Sequence, residues 1–183
     1  DIELFARRKV TVLHNPIRNR KLASGVAPVA RMLRAGCRIT LGTDGVASNN
    51  NLNLWEEIKL MPMLQKGYTL DPTVVSPAQT IAAATSAGAE ALGYRDLGLL
   101  KPGYLADLIL VDISGSHMCP CNDMESNLVY CTQGSDVRLT MVDGKVLYRD
   151  GAYTTLDPRL VCERGRKQAA ELMERAARAA ADK

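Results

Sequence analysis

Aromatic side chains are scarce in this sequence. They make up 4% of its 183 residues, with one Trp and one Phe, so a hydrophobic core has to be built from Leu, Val, Ile, Ala and Met. Proteins that bind single-stranded nucleic acid combine basic grooves with aromatic stacking platforms. Here the 23 basic residues are dispersed among 20 acidic ones, for a net charge of +3. The composition therefore argues against nucleic acid as a partner.

Long apolar runs and paired cysteines are also lacking. No segment approaches the ~18 continuous apolar residues of a membrane span, and the first residues carry no signal-peptide pattern. Five cysteines at scattered positions do not indicate a disulfide framework. Cys119-Pro120-Cys121 is either a weak zinc motif or a pair of idle thiols. We therefore expect a cytoplasmic protein with no membrane partner.

Two short apolar strands are predicted early in the chain, at residues 10–13 and 38–41. A helix tail precedes the first, a loop through residue 25 follows it, and a helix over residues 29–35 leads to the second. Strand, helix and strand over about thirty residues is the length of one right-handed βαβ unit. Both strands are apolar on both faces, which is typical of buried parallel strands. Because two strands and one helix cannot bury themselves, we expect the chain to be the C-terminal piece of a larger sheet or barrel.

Helices are predicted next. Apolar residues recur at helical spacing from Leu54, and Pro62 is expected to bend or end that helix. Ser76 and Gln79 form a capping box that opens a second helix, and a third ends at Gly93. These helices are expected to pack tightly, without a chemical role.

Strands and a long helix are predicted for the rest of the chain. An Asp-Gly pair between alternating segments is a strong hairpin signal. Asp107, at the start of a strand, is interpreted as a structural hydrogen-bonding residue, with a functional role as the alternative. An Ala-rich helix beginning at Pro158 is expected to pack on the outside of the main body through one apolar stripe. The predicted strands are residues 97–100, 106–111, 137–142 and 145–148.

Candidate functional residues lie at the ends of the first two strands. Asp44 follows the second strand between two glycines, and ligands of α/β proteins bind beyond the carboxyl ends of parallel strands. The alternative is an ordinary turn or cap residue. His14 ends the first strand, so the two side chains could meet above the sheet. A lone histidine there is usually structural, and the pair favours an active site more than either residue alone, with a structural role as the alternative. The other histidine, His117, lies in a loop near two cysteines.

Two long motifs closely resemble the last two barrel strands of the amidohydrolase superfamily. They are LHNPIRNRKLASGVAPV and LGTDGVASNNNLNLWEEIKL. Their HNP and GTDG-ASNN elements are specific to its deaminase and chlorohydrolase branch, and the subgroup resembled most is 5-methylthioadenosine/S-adenosylhomocysteine deaminase. Later segments agree in order, so the resemblance covers essentially the whole chain.

The resemblance implies an α/β fold. Residues 1–96 would form the last two β/α units of a TIM-type (β/α)8 barrel, residues 97–153 the strands of a small β-sandwich, and residues 154–183 a C-terminal helix. It also implies one catalytic divalent metal, Zn2+ or another such as Fe2+. Asp44 matches the aspartate that contacts the metal and substrate and accepts a proton from the reacting water. His14 matches the histidine that lies near the substrate and that water.

The implied reaction is the hydrolytic deamination of a purine nucleoside at C6 of adenine, with release of ammonia. Other family residues have no counterpart here: the first-strand H-x-H, the histidines ending the fifth and sixth strands, and a glutamate after the latter. One carboxylate cannot make a zinc site that needs three or four protein ligands. We therefore expect activity only with an N-terminal barrel portion supplied, and self-association is a further expectation from the family.

Two alternatives remain open from the sequence. A related guanine-type or triazine-type amidohydrolase would share the GTDG motif and a similar loop. A catalytically inactive fragment, which keeps the fold but has lost the chemistry, would share every feature described above. An upstream H-x-H would distinguish the enzyme from the inactive module.

Overall fold

The computed structural model describes residues 1–181 and has a mixed α/β architecture. The helices are α1 (Ile2–Arg7), α2 (Pro16–Lys21), α3 (Val29–Arg34), α4 (Val46–Asn49), α5 (Leu54–Thr69), α6 (Pro77–Ala84), α7 (Ser86–Ala91), α8 (Met124–Tyr130) and α9 (Pro158–Ala181). The strands are β1 (Thr11–His14), β2 (Arg38–Leu41), β3 (Leu108–Val111), β4 (Val137–Val142), β5 (Lys145–Arg149) and β6 (Ala152–Tyr153). Single 3₁₀ turns cover Ser116–Met118 and Gly134–Asp136.

The first two strands form a parallel pair, as predicted. His14 lies opposite Leu41 at the carboxyl end of the pair. The first strand is shifted by one residue from the prediction: it runs from Thr11 to His14, so His14 is its last residue. Helix α3 connects the two strands and packs against β2, which confirms the strand–helix–strand unit.

The hydrophobic core lies around β2. Ile39 and Leu41 are buried on one face, and Thr40 is buried on the other, where its hydroxyl donates to the Ala83 carbonyl at 2.9 Å. The strand is therefore covered on both faces, as its apolar sequence predicted. By contrast, Leu13 of β1 is 58% exposed. The buried hydrophobic cluster consists of Val29, Ala30, Cys37, Ile39, Leu41, Ile58, Met61, Val75, Ala83 and Val129.

The chain presents more surface than its size calls for. Its solvent-accessible area is 12,336 Å², whereas a compact monomer of 19.9 kDa exposes roughly 8,700 Å². In the described part of the chain, β1 and β2 pair only with each other, so the outer edge of each strand is open. The C-terminal helix, of which every described residue is exposed, contributes part of this surface.

Two expectations for the first half of the chain are corrected by the structure. The residues after His14 form α2 rather than a loop, because Pro16 occupies the first helical position, where its fixed φ favours a helix. Pro62 does not end α5: the helix continues to Thr69 with Pro62 fully buried. The packing of its neighbours Ile58 and Met61 in the core outweighs the hydrogen bond that proline removes.

The middle of the chain also departs from the expectation. Residues 97–100 form an irregular segment instead of a strand, because Gly98 has a left-handed φ of +86° and packs against the start of α7. A Cβ at Gly98 would lie 2.7 Å from Ser86 Cα. Helix α8 has no sequence prediction, although Asp123 caps it by accepting from the Ser126 amide at 3.3 Å.

Strands β3 to β6 form one antiparallel sheet in chain order. The hairpin predicted from Asp143-Gly144 is confirmed as β4 and β5. Asp107 accepts a hydrogen bond from the Asp143 amide at 2.7 Å, which is the structural role expected of it. Residues 1–181 form no second sheet facing this one, so the β-sandwich stays a prediction.

The predicted C-terminal helix is confirmed as α9, but its predicted packing against the main body is not. Every described residue of α9 is exposed, including Leu172 at 59% and Met173 at 73%. The expected contact of its apolar stripe with the main body is therefore wrong within the described range, and residues 182–183 of the predicted segment lie outside it. Over residues 1–181, no helix has both the length and the apolar character needed to cross a bilayer.

Candidate active site

The candidate site lies at the carboxyl edge of β1 and β2. The Gly42 amide donates to the His14 carbonyl at 3.1 Å, which continues the parallel pairing by one bond beyond the last residues of the strands. His14 is followed directly by α2, and Gly42 leads into the loop of Asp44 and then into α4. Both residues predicted for the site therefore share one edge of one sheet, which is where ligands of parallel α/β folds bind.

Gly42 lets the two chain segments approach closely. A Cβ at this position would lie 2.8 Å from Asn15 Oδ1 and 3.0 Å from Leu13 Cδ1. We expect Gly42→Ala to lower the free energy of unfolding by about 1–3 kcal/mol, because overpacking forces neighbours out of place. The matched control is Gly45→Ala, since no described atom lies within 4 Å of a Cβ there and the Gly45 φ of −77° suits alanine. Thermal unfolding of the chain co-expressed with an N-terminal barrel portion measures both changes, and an equal loss in both variants would contradict the close approach.

Asp44 has an unusual backbone and two polar contacts. Its φ is +60°, in the left-handed region, which Asp tolerates better than most residues. One carboxylate oxygen, Oδ1, accepts from the Gly45 amide at 2.6 Å. The other, Oδ2, lies 3.1 Å from Arg18 Nε, although that N–H is not aligned as a hydrogen-bond donor. The contact is therefore an ion pair at the surface, with the Asp44 side chain 41% exposed.

These contacts argue against a helix-cap role for Asp44. Helix α4 has Gly45 at its N-cap, and Asp44 makes no capping bond to it. The left-handed φ does not by itself separate a functional residue from a turn residue, because Asp143 and Asp150 share it in the turns that flank β5. The Asp44 carboxylate follows the strand end, with one oxygen on the Gly45 amide and the other beside Arg18.

His14 is buried and unpartnered. Its side chain is 2% exposed, and among residues 1–181 neither Nδ1 nor Nε2 has a hydrogen-bond partner. Burial lowers the pKa of His14 from its ordinary value of 6.5 to about 4. The imidazole is therefore neutral at pH 7 and offers one donor and one acceptor nitrogen.

The structure brings His14 and Asp44 to one edge without joining them. No hydrogen bond links the two side chains among the described residues, because Asp44 turns towards Arg18 and Gly45. The prediction that the side chains could meet above the sheet is thus fulfilled only in their shared location.

Buried polar atoms without partners gather at this edge. Such atoms normally find a hydrogen-bond partner in a folded protein, so each exception asks for an explanation. All of those found within the described part of the chain belong to residues at the end of β1 or in the segments that follow β1 and β2. They are His14 Nδ1 and Nε2, Asn15 Oδ1, Arg18 Nε and Asn49 Oδ1. Arg18 Nε lies in the ion pair with Asp44, so the unused hydrogen-bonding capacity at the strand edge is that of His14, Asn15 and Asn49.

A buried carboxylate, Glu57, hydrogen-bonds to the segments that follow β1 and β2. Its side chain is fully buried and accepts from the Ile17 amide at 3.0 Å and from Asn49 Nδ2 at 2.7 Å. Asn49 Nδ2 also donates to the Thr43 carbonyl at 2.6 Å. Burial raises the pKa of Glu57, while its two hydrogen bonds oppose that rise. Sequence reasoning missed Glu57, although its spacing places it on the same helix face as Leu54 and Met61.

The other candidates do not join this edge. His117 Nε2 lies 2.9 Å from Asp136 Oδ2, beside the antiparallel sheet. Cys119 and Cys121 are exposed free thiols. Across the described chain, no group of three or more His, Cys, Asp and Glu side chains is placed to hold a metal.

The donor set at the edge fits part of a zinc site. Imidazole nitrogen and carboxylate oxygen are both zinc ligands, but a catalytic site uses three protein ligands. The strand edge offers one exposed carboxylate and one neutral imidazole with unused nitrogens. These residues could therefore contribute to a metal site and could not form one alone.

The comparisons with known proteins give the family of the chain. The sequence profile of the amidohydrolase family matches residues 1–147. The chain therefore belongs to the amidohydrolase family. It is 51% identical over 176 residues to a 5'-deoxyadenosine deaminase of Methanosarcina acetivorans, which covers 96% of this chain and 40% of that protein. It is 45% identical over 175 residues to a 5-methylthioadenosine/S-adenosylhomocysteine deaminase of Dictyoglomus thermophilum, covering 96% and 41%.

Solved structures give the same family. A zinc-bound adenosine deaminase from Xanthomonas campestris superposes with a TM-score of 0.91 at 34% identity, over 94% of this chain and 40% of that one. A zinc-bound atrazine chlorohydrolase from Arthrobacter aurescens gives a TM-score of 0.80 at 28% identity, over 88% and 36%. The chain thus spans about 40% of the length of the curated relatives named here.

Proposed function

We propose that this chain is the C-terminal part of a metal-dependent hydrolytic deaminase of adenosine-type nucleosides. Its substrates would be 5'-methylthioadenosine, S-adenosylhomocysteine or 5'-deoxyadenosine, and its products the inosine-type nucleoside and ammonia. The observation that carries the proposal is the cluster of unpartnered buried polar atoms around His14 and Asp44 at the edge of a parallel strand pair. Relatives named as deaminases of these nucleosides, at 45–51% identity over 96% of the chain, support the substrate class.

The chain would supply the last two β/α units of a TIM-type (β/α)8 barrel. Residues 1–96 belong to that barrel in the proposal, residues 97–153 to a β-sandwich, and residues 154–183 to a C-terminal helix. The open edges of β1 and β2 support it, because a closed barrel pairs both edges of every strand. An N-terminal barrel portion is then required to complete the sheet and the site.

In this proposal Asp44 would contribute to holding Zn2+, or another divalent metal such as Fe2+, and His14 would lie near the substrate and the reacting water. When bound, the metal would lower the pKa of that water towards about 7. The Asp44 carboxylate would bind the metal and substrate and accept a proton from the water, since it is the charged group at the strand edge. His14, neutral at pH 7, would donate or accept a hydrogen bond without adding charge.

Other partners follow from the same proposal. The small-molecule partner is a purine nucleoside, with no nucleic-acid and no membrane partner. The free state of all five cysteines supports a reducing, cytoplasmic location. The large accessible surface supports association with the barrel portion. Association of further copies into a homo-oligomer is the second part of this proposal.

A triazine-type or guanine-type hydrolase is the second candidate. The superposition on the atrazine chlorohydrolase favours it, but that match has lower identity and a lower TM-score than the adenosine deaminase match. A catalytically inactive fragment is the third. One assay separates the three candidates.

The test is to co-express the chain with a barrel portion and to supply zinc. The portion is either the chain's own upstream coding sequence or the part of the Methanosarcina acetivorans relative that the chain does not match. We expect ammonia release and a shift of the adenosine absorbance band with the three nucleosides. Activity on a triazine or on guanine alone would favour the second candidate. No product from any of these compounds by a folded, metal-loaded assembly would indicate the inactive fragment.

The lowered pKa of His14 leads to a separate prediction about how stability depends on pH. Because the folded-state pKa lies below the ordinary value, the folded state binds fewer protons than the unfolded state between pH 6.5 and about 4. Stability should therefore fall as the pH drops through that window, by roughly 3 kcal/mol in total. His14→Gln should remove this dependence, and His117→Gln should keep it. Proton NMR of the assembly can follow His14, whose signal is the one that His14→Gln removes, and titration of His14 near 6.5 would contradict the prediction.

A further inference from the structure

We propose, building on the deaminase function above, that Glu57 is a positioning residue that fixes His14 and Asp44 relative to each other. The geometry that points to it is one buried carboxylate bonded to both segments that leave the strand pair. Among the described residues Glu57 makes no hydrogen bond to either of the two candidate catalytic side chains, so it would act through the backbone around them.

The first of these bonds holds the segment after His14. Helix α2 begins at Pro16 and has no side-chain cap of its own at Asn15. Its first-turn amide at Ile17 donates instead to Glu57 Oε2 at 3.0 Å. A carboxylate at a helix N-terminus stabilises it through both the hydrogen bond and the helix dipole. Glu57 thus fixes the helix that starts two residues after His14.

The second bond holds the loop of Asp44. Asn49, at the end of α4, donates from Nδ2 both to Glu57 Oε1 at 2.7 Å and to the Thr43 carbonyl at 2.6 Å. Thr43 precedes Asp44, whose backbone is in the left-handed region. Glu57 therefore reaches the residue next to Asp44 through one intervening amide, and that contact helps to hold the strained backbone.

A carboxylate suits this position better than an amide does. Two donors arrive at Glu57, one at each oxygen, and both come from segments other than its own helix. The amide of a glutamine would present one acceptor and one donor, so an N–H would face either Ile17 or Asn49. Glu57 is also fully buried, where an unpaired donor is costly.

Gln65 provides an internal comparison on the same helix. It is as fully buried as Glu57, and it accepts from the Ala30 amide at 3.1 Å and donates to the Ala27 carbonyl at 2.8 Å. Both partners lie at the start of α3, away from the strand ends. Like Glu57, Gln65 is a buried polar side chain that links α5 to a distant segment, but its partners do not lie beside His14 or Asp44.

The experiment compares Glu57→Gln, Gln65→Met and Glu56→Gln in the assembly of chain and barrel portion. Gln65→Met removes an equally buried tether, and Glu56→Gln makes the same chemical change at an exposed neighbour. We expect Glu57→Gln to lower kcat per folded molecule by about 10–100-fold, the range seen when supporting contacts of a site are lost. KM should change little, and the two controls should keep the parent kcat.

Hydrogen–deuterium exchange gives a readout that is independent of activity. In Glu57→Gln, exchange should rise in residues 15–21 and 43–50 together, and in Gln65→Met in neither. If the parent assembly deaminates nothing, the proposed function fails, and the exchange pattern alone decides the role of Glu57. If Glu57→Gln does not fold, Asn49→Ala replaces it, with the same loss of kcat expected and faster exchange in residues 43–50. A parent-like kcat in an active assembly, or unchanged exchange in residues 43–50, would overturn the proposal.

Discussion

Replacing Asp44 by Asn is expected to reduce deamination by the assembled barrel by at least about 10²–10⁴-fold, because the variant loses its proton acceptor. The effect on folding should be small. The asparagine side chain keeps a carbonyl oxygen for the Gly45 amide, and the ion pair that is lost with the partly exposed Arg18 is worth about 0–1 kcal/mol. Steady-state rates of ammonia release, measured on equal amounts of folded assembly, give the result.

The control for this variant is Asp107→Asn. Asp107 also lies beside a strand, but it accepts a single bond from the Asp143 amide, which asparagine can still accept. Its activity should remain at the parent level. If Asp44→Asn retained more than about a tenth of the parent rate, the proton-acceptor role would be wrong. The strand-end carboxylate would then be structural.

The isolated chain is expected to associate or aggregate and to lack a cooperative thermal transition. Its two parallel strands expose both outer edges, and unpaired edges are templates for association. Leu13 on β1 and Leu172 on α9 add exposed apolar surface. Co-expression with the barrel portion should restore a monodisperse species with a cooperative melt.

Sedimentation and calorimetry test this second prediction. The chain alone should sediment as a broad distribution, and the assembly as one species. As a second test, Leu13→Ser should reduce association of the chain, since that residue is 58% exposed on the open strand. A monomeric isolated chain that melts cooperatively would show that this chain is sufficient for a stable fold.

The parts of the fold that could be predicted are those with strong local signals. Continuous apolar residues predicted β2, and Asp143-Gly144 predicted the hairpin of β4 and β5. Helix α2 was missed although Pro16 marks its first position, because part of its support comes from Glu57, which is 40 residues from Ile17 along the chain. The strand predicted over residues 97–100 is wrong because the fit of Gly98 against α7 overrides a short apolar pattern.

The residues of the candidate site likewise fall into those that the sequence could predict and those that it could not. His14 and Asp44 could be placed at one sheet edge, because strand ends and parallel pairing follow from the pattern. Arg18, Asn49 and Glu57 could not be assigned roles, since their contacts depend on how three segments meet in space. A charged residue at a core-facing helical position was the one sequence signal for Glu57.

The most direct test of the proposed metal-dependent site is the position of zinc in a crystal of the assembled barrel. Anomalous diffraction at the zinc absorption edge locates the metal independently of activity. We expect a single strong peak about 2.0–2.2 Å from a carboxylate oxygen of Asp44, the usual zinc–oxygen distance. A peak at Cys119 and Cys121 instead, with none beside Asp44, would contradict a metal site at the strand edge.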